Sequence, residues 1–467
     1  MWEDIKKYIV DYIDENKEEF WEISKSIWER PELGMEETFA CGELVKVLRK
    51  YGFEVEENAA GMPTAFVASY GNGKPVIGFS SEYDCLPGLS QKLVSHKDPV
   101  HEGFPGHGCG HNLIAVGGIM SAIALKSAME EYNLNLTIKV YGTPAEELCI
   151  GKQNMACAGC FDDADIILDW HPLQTTRSNA TTCSAYFNVK FHYKGKTAHG
   201  NAPWHGRSAL DGAILQGHAI EMLREHIKPG DGEFSANTIN FTFSDTGPEF
   251  ASVVPDHATL WCIGRFTTAD EMKDAMDRID DCATGAAIAT GTTVEKEYIT
   301  ATHELITNVT ASKVVYDNLV ALGDVEFTEE EKQFVKELQM AEGQDLFVKE
   351  GVEPFSEDTV GVTDSSEYSW FAPYVFLTVR LGPGPGWHNW MVAACAGNTH
   401  GQKAVTKAAQ VLGASAVDFI ENENIIIEAK KELDTKLNGR KYSSLLPEGT
   451  PIPLKISEES MKKYRFW

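Results

Sequence analysis

Phe104-Pro-Gly-His-Gly-Cys-Gly-His-Asn112 packs one thiol and two imidazoles, those of Cys109, His107 and His111, into a glycine-rich turn. The turn lies between the mostly apolar run Pro75-Val-Ile-Gly-Phe-Ser-Ser-Glu-Tyr-Asp84 and a helical pattern from about His111 to Tyr132. A run that turns polar at its carboxyl end suits a buried strand, and the three pieces together read as one strand-loop-helix unit of an α/β sheet. Soft and borderline ligands held close on pliant backbone suit a transition metal. A flexible loop whose Cys and His are merely neighbours fits the same residues, because that spacing without further ligands is weak evidence.

Outward from the turn the α/β texture continues. Residues 2–30 and 36–51 repeat apolar side chains every three to four positions, as helices do, with Pro31-Glu-Leu-Gly34 breaking between them. Thr64–Tyr70 reads as a strand, and Leu136–Gly142 as another that runs into Thr143-Pro-Ala-Glu-Glu147. Asp165–Trp170 is a further strand ending in His171-Pro172. Polar clusters therefore sit at three successive strand ends: Glu82/Asp84, Glu146/Glu147 and His171. From residue 183 the pattern changes to half-exposed alternation, in the order strand, helix (207–227), two strands (about 236–245 and 257–266) and helix (268–290). That order predicts a small α+β sandwich with one solvated sheet face. From about Thr293 the first texture resumes, with helices near 308–321, 328–343, 400–420 and 423–436 and a strand Tyr374–Leu381 leading to His388. The predicted layout is a mixed-sheet α/β domain, residues 1–182 and 293–467, interrupted by an inserted α+β domain, residues 183–292. The proline-bearing tail Leu445–Trp467 is expected along the surface.

The 467 residues suffice for two or three domains. With 41 basic and 69 acidic residues the net charge is −28, which argues against nucleic acid and anionic membranes as partners. A locally positive pocket for a small anion stays compatible with that balance. The N-terminal MWEDIKKYIVDYIDENKEEF lacks the apolar core of a signal peptide, and no uninterrupted apolar run reads as long enough to span a bilayer. Ten scattered cysteines form no disulfide framework and fit a reducing cytoplasm. Cys157-Ala-Gly-Cys160 has redox spacing, yet it ends a predicted helix without thioredoxin-like surroundings and reads as structural.

Four clusters can carry chemistry: Cys109/His111, Glu146/Glu147, His171 and His388. Singly, each has an ordinary explanation. Glu146 and Glu147 are solvated loop acids, His171 is a capped strand-end histidine, and His388 is a loop histidine between Trp387 and Trp390. Jointly they fall where an α/β sheet places ligands. Two divalent ions need about four to six protein ligands and often a bridge. Cys109 can bridge as a thiolate. Neighbouring Glu146 and Glu147 diverge on extended backbone, so one binds metal while the other serves as general base. A divalent ion lowers the pKa of a water it holds to roughly 7.

The motifs resemble the aminoacylase/carboxypeptidase-G family of dinuclear metallopeptidases and amidohydrolases. The matching stretches are Ser81–Pro87, Gly108–Asn112, Gly142–Glu147, Trp170–Pro172, Lys196–Gly200, Val253–Asp256, Thr363–Glu367 and Trp387–Trp390, so the likeness covers nearly the whole chain. It implies a metallopeptidase catalytic domain with an inserted lid and dimerisation domain. It implies two divalent ions, Zn2+ or Mn2+, held by Cys109 as bridge with His111, Glu147, His171 and His388. It gives Glu146 the role of base, and has His199 reach a partner subunit's site to stabilise the oxyanion. Arg265 is then placed for a substrate carboxylate, where a surface ion pair is its ordinary alternative. His107 becomes accessory, and His205 and His400 stay outside the core set. Many relatives carry a metal-binding His-x-Asp where this chain has Glu82-Tyr83-Asp84, so Asp84 is expected to support a ligand rather than bind metal. Ser252 stands where relatives often have an oxyanion-holding Asn, and Asn112 stands where some have an acid.

The implied activity is hydrolysis of the amide of an N-acyl amino acid, with p-aminobenzoyl-glutamate as the leading substrate. A dipeptidase or an aminoacylase for another acyl group is the alternative within the class, and a non-catalytic metal-binding subunit the alternative outside it. The implied partners are a small-molecule substrate and a second copy of the chain, or else a homologous partner subunit.

Overall fold

The computed structural model describes residues 1–230, 236–384 and 386–465. In chain order the strands are β1 (Glu54–Glu57), β2 (Phe66–Gly71), β3 (Val76–Glu82), β4 (Thr137–Thr143), β5 (Ile166–Leu173), β6 (Arg177–Ser178) and β7 (Ala180–Thr182). They continue as β8 (Ala185–Lys194), β9 (Thr238–Asp245), β10 (His257–Phe266), β11 (Thr293–Thr302), β12 (Glu357–Thr359) and β13 (Tyr374–Arg380). Every residue of β3 is buried, as a strand covered on both faces requires. It lies inside a seven-stranded sheet ordered β1-β2-β4-β3-β5-β13-β6. β4, β3, β5 and β13 run parallel, while β1, β2 and β6 pair antiparallel, so the sheet is mixed. Four parallel strands bring their carboxyl ends to one edge. Glu82 closes β3, Glu146 and Glu147 follow β4, His171 lies near the end of β5, and His388 follows β13.

The helix His111–Tyr132 carries the turn's second imidazole on its first residue and crosses the core. By length and composition it could cross a membrane, which corrects the expectation that no run is long enough. It is apolar all round because it is buried almost entirely within the protein, against the sheet and among neighbouring helices. Two adjacent glycines allow that approach. A Cβ on Gly117 would lie 2.3 Å from the Trp170 indole nitrogen, and one on Gly118 would lie 2.1 Å from the Ser80 carbonyl oxygen.

The inserted domain is an antiparallel sheet, β11-β8-β10-β9, packed on the helices Ala209–Arg224 and Ala269–Thr290. Its far boundary differs from the sequence expectation. β11 pairs with β8 from Thr293↔Lys194 to Thr302↔Tyr186, so the insert keeps one more strand and the chain leaves it after Thr302 rather than at 293. The segment Thr293-Val-Glu-Lys-Glu-Tyr298 alternates exposed and half-buried positions, as one solvated sheet face dictates. Beyond the helix Glu423–Leu437 the tail runs over the surface and ends with Met461 buried against Leu33 and Cys85. Residues 466 and 467 of the expected tail lie outside the described residues.

Candidate metal centre

Each candidate side chain is aimed by the backbone it stands on. The turn before His111 threads between other loops, and a Cβ on Gly106 would come within 2.0 Å of the Leu89 carbonyl oxygen. Gly110 takes φ +84 at the helix entry, and Cys109 and His111 both end buried. Glu146 and Glu147 open a short 3-10 turn after β4 rather than continuing an extended strand. Ala145, at φ 55, starts that turn, and its N–H donates to Glu37 Oε1 at 2.8 Å. The neighbours diverge only in part. Both reach His111 Nε2, Glu146 Oε2 at 3.7 Å and Glu147 Oε1 at 3.9 Å, and Glu147 Oε2 extends to 3.4 Å from His388 Nε2.

Hydrogen bonds fix how two of the imidazoles present themselves. His171 Nδ1 sits 2.8 Å from the Pro172 carbonyl oxygen, and His111 Nδ1 sits 3.0 Å from Asp84 Oδ1. With Nδ1 engaged in each ring, Nε2 is the nitrogen turned toward the cluster, and His171 Nε2 lies 3.3 Å from Cys109 Sγ. The second Asp84 oxygen accepts the Glu147 N–H at 3.0 Å, so Asp84 supports two candidate ligands. His388 has φ 61 and a half-exposed side chain, at the rim of the cluster.

The ligand atoms of Cys109, His111 and His171 lie within 4.8 Å of one another, and so do those of Cys109, Glu147 and His388. Cys109 belongs to both triads. A third grouping, Glu82, His111 and Glu146, also meets that limit. In it, however, the other Glu82 oxygen already accepts from Lys152 Nζ at 2.6 Å, and Lys152 donates to Asp364 Oδ1 at 2.6 Å. Among the described residues, the two triads that share Cys109 carry no such competing cation.

The residues fit a cation. His111 Nε2 and Glu147 Oε1 are buried without a hydrogen-bond partner among the described residues. Burial, then the Glu147 carboxylate, raises the Cys109 thiol well above its ordinary range, so a thiolate there needs a compensating positive charge. Burial opposes charge on His111, yet Cys109, Glu82 and Asp84 outweigh it and raise its proton affinity well above the imidazole norm. Burial raises Glu146 well above the carboxylate range and Glu147 to about 7. Burial also lowers His171 to about 4, keeping that ring neutral and free to ligate. A buried cluster of thiol, imidazole and carboxylate donors suits a divalent metal ion.

Of the residues read from sequence, Cys109, His111, Glu147, His171, His388, Glu146 and Asp84 all converge here. Arg265 does too. It lines the same cavity, of about 570 Å³, from the inserted domain. Its guanidinium lies 5.4 Å from the Tyr186 ring centroid, and no carboxylate among the described residues pairs with it. His199 does not line this cavity. It is exposed on a loop of the insert, accepting the Asn201 N–H at 3.0 Å, with Ser252 alongside through the Gly200 N–H to Ser252 carbonyl bond. His107 belongs to neither triad, and burial lowers it to about 3. His205 is exposed on the insert, and His400 packs on Phe327 and Phe334.

Three residues of the site escaped the sequence reading: Lys152, Arg177 and Tyr186. Lys152 stands in Leu148-Cys-Ile-Gly-Lys-Gln153, a cation in a mostly apolar run five residues after the paired acids, which is the signal that marks it. Arg177 follows His171-Pro172 by a few positions, and Tyr186 is the cross-strand partner of Arg265.

The model of the peptidase dimerisation domain matches residues 182–290. The chain is 30% identical to one of the subunits of p-aminobenzoyl-glutamate hydrolase from Escherichia coli (strain K12), over 97% of this chain and 100% of that one. It is 29% identical to the Xaa-Arg dipeptidase of Mus musculus, over 93% of each. Its fold is similar to that of a dinuclear metal binding peptidase of the M20 family from Bacillus subtilis, with TM-score 0.56 and 17% identity over 87% of this chain and 99% of that one. By its full-length likeness, its dimerisation domain and its fold, the chain belongs to the M20 family of metal-dependent peptidases and amidohydrolases.

Proposed function

We propose that this chain hydrolyses the amide bond of an N-acyl amino acid whose amino-acid part is anionic, with p-aminobenzoyl-glutamate as the substrate. One observation carries the reading. Two ligand triads that share Cys109 lie beside Glu146 in a cavity whose lysine and arginine lining, among the described residues, consists of Arg177 and Arg265. Two divalent ions, Zn2+ or Mn2+, held by Cys109, His111 and His171 and by Cys109, Glu147 and His388, would polarise the amide carbonyl and acidify water; the thiolate favours zinc. Glu146, adjacent to these ligands but outside both triads, takes the proton from the attacking water and delivers it to the leaving nitrogen. Arg265 clamps a substrate carboxylate, with the Tyr186 ring packed against its guanidinium. Phe376 and Trp387 stand 6.1 and 6.3 Å from the His171 ring and offer apolar faces to an aryl group. His199 is assigned to the partner subunit's oxyanion in a homodimer formed through the insert. The Escherichia coli relative is named as one subunit of a hydrolase, so a homologous partner chain is the alternative assembly. Ten free cysteines support the cytoplasm as the place of work.

A dipeptidase that reads an arginine side chain is the second reading, supported by the mouse relative. The cavity disfavours it. Its lining carboxylates among the described residues are Glu82, Glu146 and Glu147, all beside the ligand triads, and Arg265, which pairs with no acid among the described residues, repels a cationic residue. Purified single chain, assayed with p-aminobenzoyl-glutamate, Xaa-Arg dipeptides, β-alanyl dipeptides and aliphatic N-acyl amino acids, separates these. The aroyl-glutamate is expected to be cleaved about 100-fold more efficiently than the Xaa-Arg dipeptides. A preference for the dipeptides would overturn the assignment.

A further inference from the structure

The structure carries one assignment beyond the metal chemistry: we infer that Arg177 is the specificity residue that reads the side-chain carboxylate of the substrate's amino-acid part, in the cavity that Arg265 also lines. This rests on the proposed cleavage of an N-acyl acidic amino acid. Such a substrate presents two carboxylates near the scissile amide, and one guanidinium clamps one carboxylate bidentately. The cavity supplies a second guanidinium, from a different domain. Arg265 stands on β10 of the insert, and Arg177 stands on β6, the edge strand of the catalytic sheet, six residues after His171.

The two arginines differ in how they are held. Arg265 packs on an aromatic ring and pairs with no acid among the described residues. Arg177 is three-quarters buried, with Nη2 at 3.0 Å from Asp358 Oδ2 and Nη1 at 3.7 Å from Glu353 Oε2. Asp358 is itself fixed, accepting from Asn179 Nδ2 at 3.1 Å and Thr181 Oγ1 at 2.8 Å. A guanidinium has five N–H donors, and this framework engages only part of the fork. The guanidinium is therefore aimed in advance, and little side-chain freedom is lost when a ligand meets its remaining donors. A neutral amide in place of the second carboxylate turns a charge-assisted contact into a weaker one. Arg177 thus separates glutamate from glutamine, whereas Arg265 serves any N-acyl amino acid.

The test compares kcat/KM for p-aminobenzoyl-glutamate and p-aminobenzoyl-glutamine in the wild type, Arg177→Met, Arg177→Lys and Arg265→Met. Wild type is expected to favour the glutamate compound by about 100-fold. Arg177→Met should bring that ratio to within about threefold while glutamine turnover is kept, and Arg177→Lys should leave an intermediate ratio. Arg265→Met should slow both substrates alike. An unchanged ratio in both Arg177 variants, or equal loss of both substrates in both, makes Arg177 a strut for residues 353–358 and overturns the inference. A wild type that cleaves both equally overturns it while leaving the amidase reading intact. A wild type that cleaves neither, yet cleaves dipeptides, overturns that reading together with the inference built on it.

Discussion

Glu146 has more carboxylate neighbours than its role can tolerate unless something positive stands nearby. Lys152 supplies part of that charge, fully buried and bonded to both Glu82 and Asp364. The triads supply the rest when loaded. Glu146→Gln keeps the shape of the side chain and removes its capacity to carry a proton. The variant should bind metal as the wild type does while turnover falls by about 10²–10⁴-fold. Steady-state assay alongside elemental analysis reads both quantities, and turnover near that of the wild type would remove Glu146 from the base position. Much of the candidate centre was legible residue by residue, because Cys109 and His111 stand in a glycine-rich turn and Glu147, His171 and His388 follow or end apolar strands. Lys152 was not. Its partners lie 70 and 212 positions away, so a lone cation in an apolar run could mark the residue but not the contacts that give it a place in the site. Tyr186 was hidden for a related reason, since a tyrosine in a strand is ordinary until the opposite strand places an arginine beside it.

Elements in this chain are held at their ends as well as by their faces. The helix Val309–Leu322 begins with the Asn308 side chain accepting the Ala311 N–H at 2.9 Å. Glu432, from the helix Glu423–Leu437, accepts the Val309 and Thr310 N–H groups at 2.8 and 2.9 Å. Burial pushes that carboxyl up, but Lys436 and the two amides outweigh it and bring it down to about 2 from an ordinary 4.5. A carboxylate with a depressed folded value contributes stability that is present above the ordinary value and lost as pH falls toward the folded one. Glu432→Gln should therefore cost about 1 kcal/mol near pH 7. Denaturant unfolding followed from pH 6 down to pH 3 should show the gap to wild type narrowing below about pH 4.5. A gap constant over that range would contradict the capping role. Helix periods and strand alternation made these elements readable, but not their partners. Thr293–Thr302 alternates like a strand, yet nothing within it says that it pairs with β8, about a hundred residues upstream, and so belongs to the insert.

At the scale of the molecule, the insert lends residues to the lining of the catalytic cavity and leaves His199 exposed outside that lining. A chain with a dimerisation domain and an outward catalytic candidate suggests sites completed across the interface. Complementation tests this. Glu146→Gln and His199→Ala chains, each nearly inactive, are unfolded together and refolded as mixed dimers. Random pairing makes about half of all the refolded dimers mixed, each with one intact site of two, so activity should recover to about a quarter of wild type. Recovery no greater than the sum of the separate variants would place His199 outside the partner's site. The change of texture at residue 183 made the two-domain layout legible. Which end of which inserted strand meets the catalytic sheet was not, because that depends on contacts between segments far apart in the chain.

The proposed chemistry stands on one thiolate that joins two ligand triads at the sheet's carboxyl edge. The decisive quantity is metal content per chain, by elemental analysis after gel filtration, for wild type and Cys109→Ala. Both triads lose a donor in the variant, so a content of about two divalent ions in the wild type should fall steeply, with folded structure kept by circular dichroism. An undiminished metal content in Cys109→Ala would contradict the shared-thiolate centre.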